Sequence, residues 1–184
     1  KSRNLAIKKA RGKYITFLDV DDLWHARKIK EQVDFLRNKK IKICYSNLQL
    51  FYQKKNIKKK FIKEKKMNIT TQNLLNNYDL GILTVMLERS IFKKKSFNKN
   101  YEIIGDFDFF INLSLNYKIG YLHKILATYR IHGENFSTKK ISKHIDELKK
   151  WIKRNKGVLE KKGLNLTKQR FFLKKLILKR YLKY

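Results

Sequence analysis

Proline is absent from this 184-residue chain, and only one cysteine and seven glycines are present. A single thiol excludes an internal disulfide framework. It lies in the apolar run Ile43-Cys44-Tyr45, the setting of a buried strand thiol rather than of a nucleophile. No apolar run approaches the roughly 18 to 20 residues of a membrane-spanning helix, and no signal-peptide pattern is present. A cytoplasmic location is the simplest expectation. Acids are scarce as well: 15 Asp and Glu stand against 46 Lys and Arg, a formal charge of +31. Such a balance ordinarily points to nucleic acid or an anionic membrane. The lysines, however, run along the whole chain, and Lys, Asn, Ile, Phe and Tyr abound where proline, usually about 5%, is missing. That is the bias of AT-rich coding sequence, so generic surface charge is favoured over a nucleic-acid partner, which stays open at this point.

The length suits one domain able to bury roughly 70% of its unfolded surface. No internal repeat and no Gly/Ser linker interrupts it. Ser2 to Ala10 reads as an amphipathic helix stopped at Gly12. Tyr14 to Leu18 reads as a buried strand, and Leu23 to Arg37 as a helix with Ile29, Val33 and Leu36 on its apolar face. Lys42 to Tyr52 is a strand, and the lysine run from Lys54 to Lys66 a solvated loop or hairpin. Thr71 to Tyr78 is a short helix, Gly81 to Glu88 a strand and Ser90 to Lys94 a helical turn. Asp106 to Tyr117 is an amphipathic helix with Phe109, Phe110 and Leu113 inward, and Tyr121 to Arg130 a closing strand. From Ile141 the chain is helical and basic, broken near Gly157 and Gly163. Strands alternating with helices predict an α/β sheet protein followed by a helical tail.

The few acids are not scattered evenly. Ile15-Thr-Phe-Leu-Asp-Val-Asp-Asp22 is an apolar strand running into Asp19, Asp21 and Asp22. Carboxylates gathered at a strand end offer hard oxygen ligands suited to Mg²⁺ or Mn²⁺ and, through the ion, to phosphate. The plainer reading makes Asp22 the N-cap of the next helix, which leaves Asp19 and Asp21 without an explanation. Trp24 either borders a pocket or packs beneath the loop. His25, His123 and His144 have no acid or thiol at ligand spacing and read as structural. No phosphate-binding Walker loop is present.

The segment from Arg3 through the turn Arg11-Gly12-Lys13 to Asp22 and Trp24 resembles glycosyltransferase family 2, the nucleotide-sugar transferases of the GT-A fold. Two later strings resemble the same family in the same order. Gly105-Asp106-Phe107-Asp108-Phe109-Phe110-Ile111-Asn112-Leu113 is similar to its second signature, with Gly105 where Glu often stands and Asn112 where Arg is frequent. Tyr129-Arg130-Ile131-His132-Gly133-Glu134-Asn135-Phe136-Ser137 is similar to the string that closes its catalytic domain. The resemblance implies that Asp21 is a metal ligand and that Asp19 contacts ribose or stands behind the ligands. It implies that Asp106 is the general base with Asp108 supporting it. Arg130 would pair with diphosphate through its planar fork, and His132 would contact metal or phosphate. For Asp106 the plain alternative is helix capping, and for His132 a surface turn.

The expected fold is therefore α/β, a GT-A mixed sheet with flanking helices, over residues 1–140, followed by a basic helical tail over 141–184. The chain opens on Lys1 inside a helical pattern, so it is expected to lack the upstream nucleotide-binding strands. The expected function is transfer of one sugar, with inversion, from a nucleotide-sugar donor to a hydroxyl of a glycan or lipid-linked acceptor. Mn²⁺ or Mg²⁺ would assist, in cell-envelope glycan synthesis. The alternatives are a haloacid-dehalogenase-like phosphatase, whose Asp-x-Asp strand is similar, and a basic nucleic-acid-binding protein. Residues 168–184, with Phe172, Leu173, Leu176, Ile177 and Tyr181 among lysines, read as a basic amphipathic helix. It would either lie peripherally on the inner face of an anionic membrane or pack on the domain.

Overall fold

In a computed structural model, residues 2–61, 68–132 and 140–182 are described. Contacts divide the chain into two compact units. The first comprises Lys1–Thr70, Leu80–Ser96 and Asn116–Gly133, and the second Thr71–Asp79, Phe97–Leu115 and Glu134–Tyr184.

The first unit holds the sheet. Its strands are β1 (Tyr14–Ile15), β2 (Leu23–Trp24), β3 (Ile43–Tyr52), β4 (Ile57–Phe61), β5 (Asn68–Ile69), β6 (Met86–Glu88) and β7 (Ile119–Ile131). They run in the order β1-β6-β3-β7-β2, with β4 paired to β3 and β5 to β7. The centre is the parallel β3–β7 pair, from Ile43 beside Ile119 to Tyr52 beside Ile131, with register shifts around Asn47. The other pairings are antiparallel, so the sheet is mixed. Ile43, Cys44 and Tyr45 are fully buried, as the continuous apolar run predicts for a central strand. Burial pushes the Cys44 thiol up to about 12, which makes it inert. The lysine run after Tyr52 turns back as β4, a hairpin on β3; residues 62–66 of that run lie outside the described residues. At Gly120 on β7 the chain has no room for a side chain, because a Cβ would sit 2.4 Å from Ile41 Cδ1 and 2.6 Å from Phe35 Cε1.

Five sequence expectations for this unit change. Of the strand expected over Gly81 to Glu88 only Met86–Glu88 forms, after a helical turn at Ile82–Thr84. Helix α1 (Ser2–Lys9) forms but buries none of its residues, so it is not amphipathic in the sense predicted. The ladder of β1 ends at Ile15, where the Thr16 hydroxyl instead donates to the Val85 carbonyl. Leu23 does not open a helix: Leu23 and Trp24 form β2 against Thr128 and Ala127, and α2 begins only at Lys28 (Lys28–Lys39). Of the apolar face expected for α2, Leu36 is buried but Ile29 is 46% exposed; the buried stripe is Lys28, Gln32 and Leu36, at i, i+4, i+8.

Lys28 explains why that stripe turns inward. It is 0% exposed, and its Nζ donates to Thr16 Oγ1 at 2.8 Å, Gln32 Oε1 at 2.6 Å and the Val85 carbonyl at 3.3 Å, beneath the Trp24 ring. Burial still lowers its pKa to about 8. A lysine depressed in the fold binds its proton more tightly when unfolded, so folding stability rises as pH climbs from about 8 to 10.5. The shift corresponds to about 3 kcal/mol. Relative to Lys28→Met, which has no such titration, the native protein should gain about that much stability over this window in denaturant unfolding. A pH-independent difference between the two proteins would show that the lysine's pKa is not lowered in the fold.

The second unit is helical: α3 (Thr71–Asn76), α4 (Gly105–Ser114), α5 (Ile141–Glu160) and α6 (Thr167–Tyr181). The tail helices belong with α3 and α4. Ile145, Leu148 and Leu176 form a shared core with Leu173 and Ile177, and Asn165 N–H donates to Gln72 Oε1 at 3.0 Å. The break expected at Gly157 does not occur, since α5 runs through it with open space where a Cβ would lie. The chain turns at Gly163, whose φ of +72° is the left-handed conformation that favours glycine.

Candidate active site

In the first unit, the loop after β1 and the end of β7 meet. The β2–β7 pairing draws residues 19–22 alongside Arg130 and His132, more than a hundred positions away in sequence. Asp22, 4% exposed, accepts the Arg130 N–H at 3.0 Å, and its own N–H closes a turn on the Asp19 carbonyl at 3.0 Å. It caps no helix; the sequence reading of Asp22 as an N-cap fails because the next helix starts six residues later, after β2. Burial, then the charges of Asp21 and Asp19, push the Asp22 carboxyl up to about 6, against the pull of the Arg130 N–H.

Asp21 behaves oppositely. Its Oδ2 lies 2.8 Å from His132 Nε2, and that hydrogen bond chiefly holds its carboxyl below the usual carboxylate range. Arg130 Nε donates to the Asp21 carbonyl. Asp21 and His132 are only partly exposed, each with one edge open to solvent. Asp19 points elsewhere, toward Arg3 Nη2 at 3.7 Å, with half of its side chain exposed. The structure thus brings together Asp21, Asp22, Arg130 and His132, and sets Asp19 at the side. Gly133 to Ser137 of the third string lie outside the described residues.

Among the described residues no three metal-ligating side chains converge on one point. What the loop offers is one ionised carboxylate beside one imidazole, with a guanidinium behind. That donor set fits an ion held jointly with substrate phosphates, the manner in which Mg²⁺ is usually bound through one or two carboxylates. It does not fit an all-protein cage.

Trp24 is settled as a packing residue: its indole N–H donates to the Leu83 carbonyl at 3.0 Å, and it lies on the cluster of Leu48, Leu83 and Ala127.

In the second unit, Asp106 and Asp108 sit on the first turn of α4 with different neighbours. Asp106 is half-buried, its Oδ1 accepts the Phe107 N–H at 2.8 Å, and it lines a cavity. Asp108 is buried and turned toward α5, where it accepts Trp151 Nε1–H at 2.9 Å and Asn112 Nδ2–H at 3.1 Å. Burial raises its pKa. Asp108, expected as a supporting group, thus fixes Trp151 of α5 through a buried hydrogen bond. Glu147 from α5 holds the turn that leads into α4, accepting the N–H groups of Glu102, Ile103 and Ile104 at 2.8, 2.9 and 3.1 Å, while within the first turn of α4 itself Asp106 accepts from Phe107. Neither Glu147 nor Trp151 stood out in the sequence, because each lies in a basic helix with no local partner.

The chain is similar to known proteins in sequence and in fold. The profile described as "Glycosyl transferase family 2" matches residues 1–101. The chain is 38% identical over 96 residues, 52% of its length and 37% of the relative, to "UDP-Glc:alpha-D-GlcNAc-diphosphoundecaprenol beta-1,3-glucosyltransferase WfgD" of Escherichia coli. It is 31% identical over 145 residues to the Escherichia coli enzyme of the same description called WfaP, covering 78% of this chain and 56% of that one. The chain thus spans about half or less of these two relatives. In structure it is similar to residues 1–349 of S. aureus TarS, solved with UDP-GlcNAc, with a TM-score of 0.60 and 18% identity over 76% of this chain and 40% of that one. The likeness establishes the fold as the GT-A arrangement of a mixed sheet with flanking helices.

Proposed function

Because this chain belongs to glycosyl transferase family 2, we propose that the full-length protein is a glycosyltransferase that moves one sugar from a nucleotide-sugar to a hydroxyl of a lipid-linked glycan, with inversion. The observation that carries the reading is the meeting of Asp21, Arg130 and His132 at the end of β7. WfgD and WfaP are described as acting on a diphosphoundecaprenol-linked sugar, and TarS was solved with UDP-GlcNAc. A uridine-diphosphate donor and a lipid-diphosphate acceptor are the matching substrates here.

In this mechanism Asp21 and His132 would hold Mn²⁺ or Mg²⁺, and Arg130 steadies the loop through the Asp21 carbonyl. When bound, the ion would neutralise charge on the departing nucleoside diphosphate. Asp106 takes the proton of the acceptor hydroxyl as its oxygen bonds to the anomeric carbon and the bond to diphosphate breaks. Asp19, being exposed beside Arg3, is free to turn to the donor's ribose. Incubating the full-length protein with a panel of nucleotide-sugars and a lipid-diphosphate acceptor tests the reading. Divalent-cation-dependent release of nucleoside diphosphate is expected, and release of free phosphate alone would favour a phosphatase.

The same reading places the enzyme on the inner face of an anionic membrane. Among the described residues no helix is long and apolar enough to cross one. The tail stripe of Leu173, Leu176 and Ile177 packs on α5, but the last turns of α6 also carry exposed apolar residues: Leu178 and Leu182, at i and i+4, stand beside Lys179. Apolar residues flanked by lysines suit an anionic lipid surface, where each cation adds about 1 kcal/mol. Leu178→Ser with Leu182→Ser should reduce co-sedimentation with anionic vesicles several-fold without altering the fold. Equal sedimentation of the variant and the native protein would remove α6 from any membrane contact.

A further inference from the structure

The second unit contains a cavity of about 520 Å³ walled by α3, α4, α5 and α6, within the range of small-molecule sites. Its lining is chemically divided. Asp106 stands on the α4 side. On the α6 side stands Gln169, only 7% exposed, whose Nε2 donates to the Leu75 carbonyl while its Oε1 is buried with no hydrogen-bond partner among the described residues. A buried acceptor left open is costly, and Gln169 is one of the residues that line the cavity. The walls are aromatic: Phe107 lies edge-to-face with Tyr78 at 5.1 Å, and Phe172 borders the space beside His144. Lys168 and Lys175, both exposed, also line it. The backbone N–H groups before α4 are already taken by Glu147, so the lysines are the cations available to an anion there.

We propose that this cavity is the acceptor pocket and that α6 reads the acceptor: a pyranose rests its C–H face on the aromatic wall with a hydroxyl toward Asp106, Gln169 Oε1 accepts from a second hydroxyl or an amide N–H of that sugar, and Lys168 and Lys175 take the phosphate attached to it. The assignment rests on Asp106 being the base. It goes further in giving acceptor choice to a helix at the far end of the chain, outside the 101 residues that match the family profile. Hydroxyl donors satisfy the open amide oxygen, aromatic rings suit the apolar face of a sugar, and two lysines suit a diphosphate.

The test uses the full-length protein and N-acetylglucosamine α-diphosphate on a short alkyl chain as the probe. Lys168→Ala, Lys175→Ala and Gln169→Met should each weaken calorimetric binding of the probe by about tenfold. In turnover the acceptor KM should rise by a similar factor, well beyond any change in the donor KM. The lysines are at the surface, so their variants fold even if Gln169→Met does not. Probe binding unchanged in both lysine variants, or no binding to the native protein, would overturn the pocket assignment. Absence of donor turnover in the native protein would instead count against the glycosyltransferase reading, with probe binding still deciding the pocket.

Discussion

Asp21→Ala in the full-length enzyme is expected to lower metal-dependent transfer by about a thousandfold, equivalent to about 4 kcal/mol of transition-state stabilisation. Asp21 is the loop carboxylate that His132 holds ionised, and it keeps an edge open to solvent. Its removal takes away the hard oxygen ligand and leaves His132 alone, a poor site for Mg²⁺ or Mn²⁺. The loop itself should survive, because its anchors lie elsewhere: Asp22 holds the Arg130 N–H and β2 pairs with β7. A partly exposed pair such as Asp21–His132 contributes at most about 1 kcal/mol to stability. Thermal unfolding should therefore shift little while turnover collapses. Turnover that persists with unchanged dependence on Mn²⁺ would remove Asp21 from the ion's ligands. Asp19→Asn provides contrast: paired with Arg3 away from the cluster, it should raise the donor KM and leave the metal dependence intact.

Asp106→Asn should cost between about a hundredfold and ten-thousandfold in rate, the range for loss of a positioned base. The amide keeps an oxygen that can accept the Phe107 N–H now bound at 2.8 Å, but it cannot take a proton. Since that contact is kept and Glu147 holds the turn before α4 through three backbone N–H groups, the helix should not fray. Donor binding by calorimetry should persist. If the variant lost stability but kept its rate per folded molecule, Asp106 would be a structural residue. Glu147→Gln serves as the converse control: it loosens the turn that leads into α4, so it should lower the unfolding midpoint more than Asp106→Asn does.

Strand-versus-helix alternation, the buried thiol, the acid cluster and the order of three family-like strings were all legible in the sequence, because each rests on neighbours within about ten positions. β3 was legible almost to its ends, because Ile43, Tyr45, Leu48, Leu50 and Phe51 recur among its polar residues at close spacing. What local pattern could not reach was decided by pairing at long range. Leu23 and Trp24 have helical neighbours in sequence, yet the edge of β7 takes them as a strand, and that choice moves the start of α2 to Lys28. Periodicity pointed to Ile29, Val33 and Leu36 as the inner face; Leu36 is buried and Val33 packs beside it, but a buried lysine satisfied by Thr16, Gln32 and the Val85 carbonyl extends the inner stripe along Lys28 and Gln32 and leaves Ile29 exposed. Hydrophobic pattern carries no information about a polar residue whose partners lie 12 and 57 positions away. The same limit separates the acids. Asp19, Asp21 and Asp22 look alike in sequence, but β2–β7 pairing buries one, sets one against His132 and leaves one beside Arg3. Asp106 and Asp108 stand on one helical turn, and only the packing of α5 makes the second a partner of Trp151. Residue types capable of the chemistry are thus a property of the sequence; which of them faces substrate, and which holds the fold, is settled by desolvation and by hydrogen-bond partners that only the folded chain brings within reach.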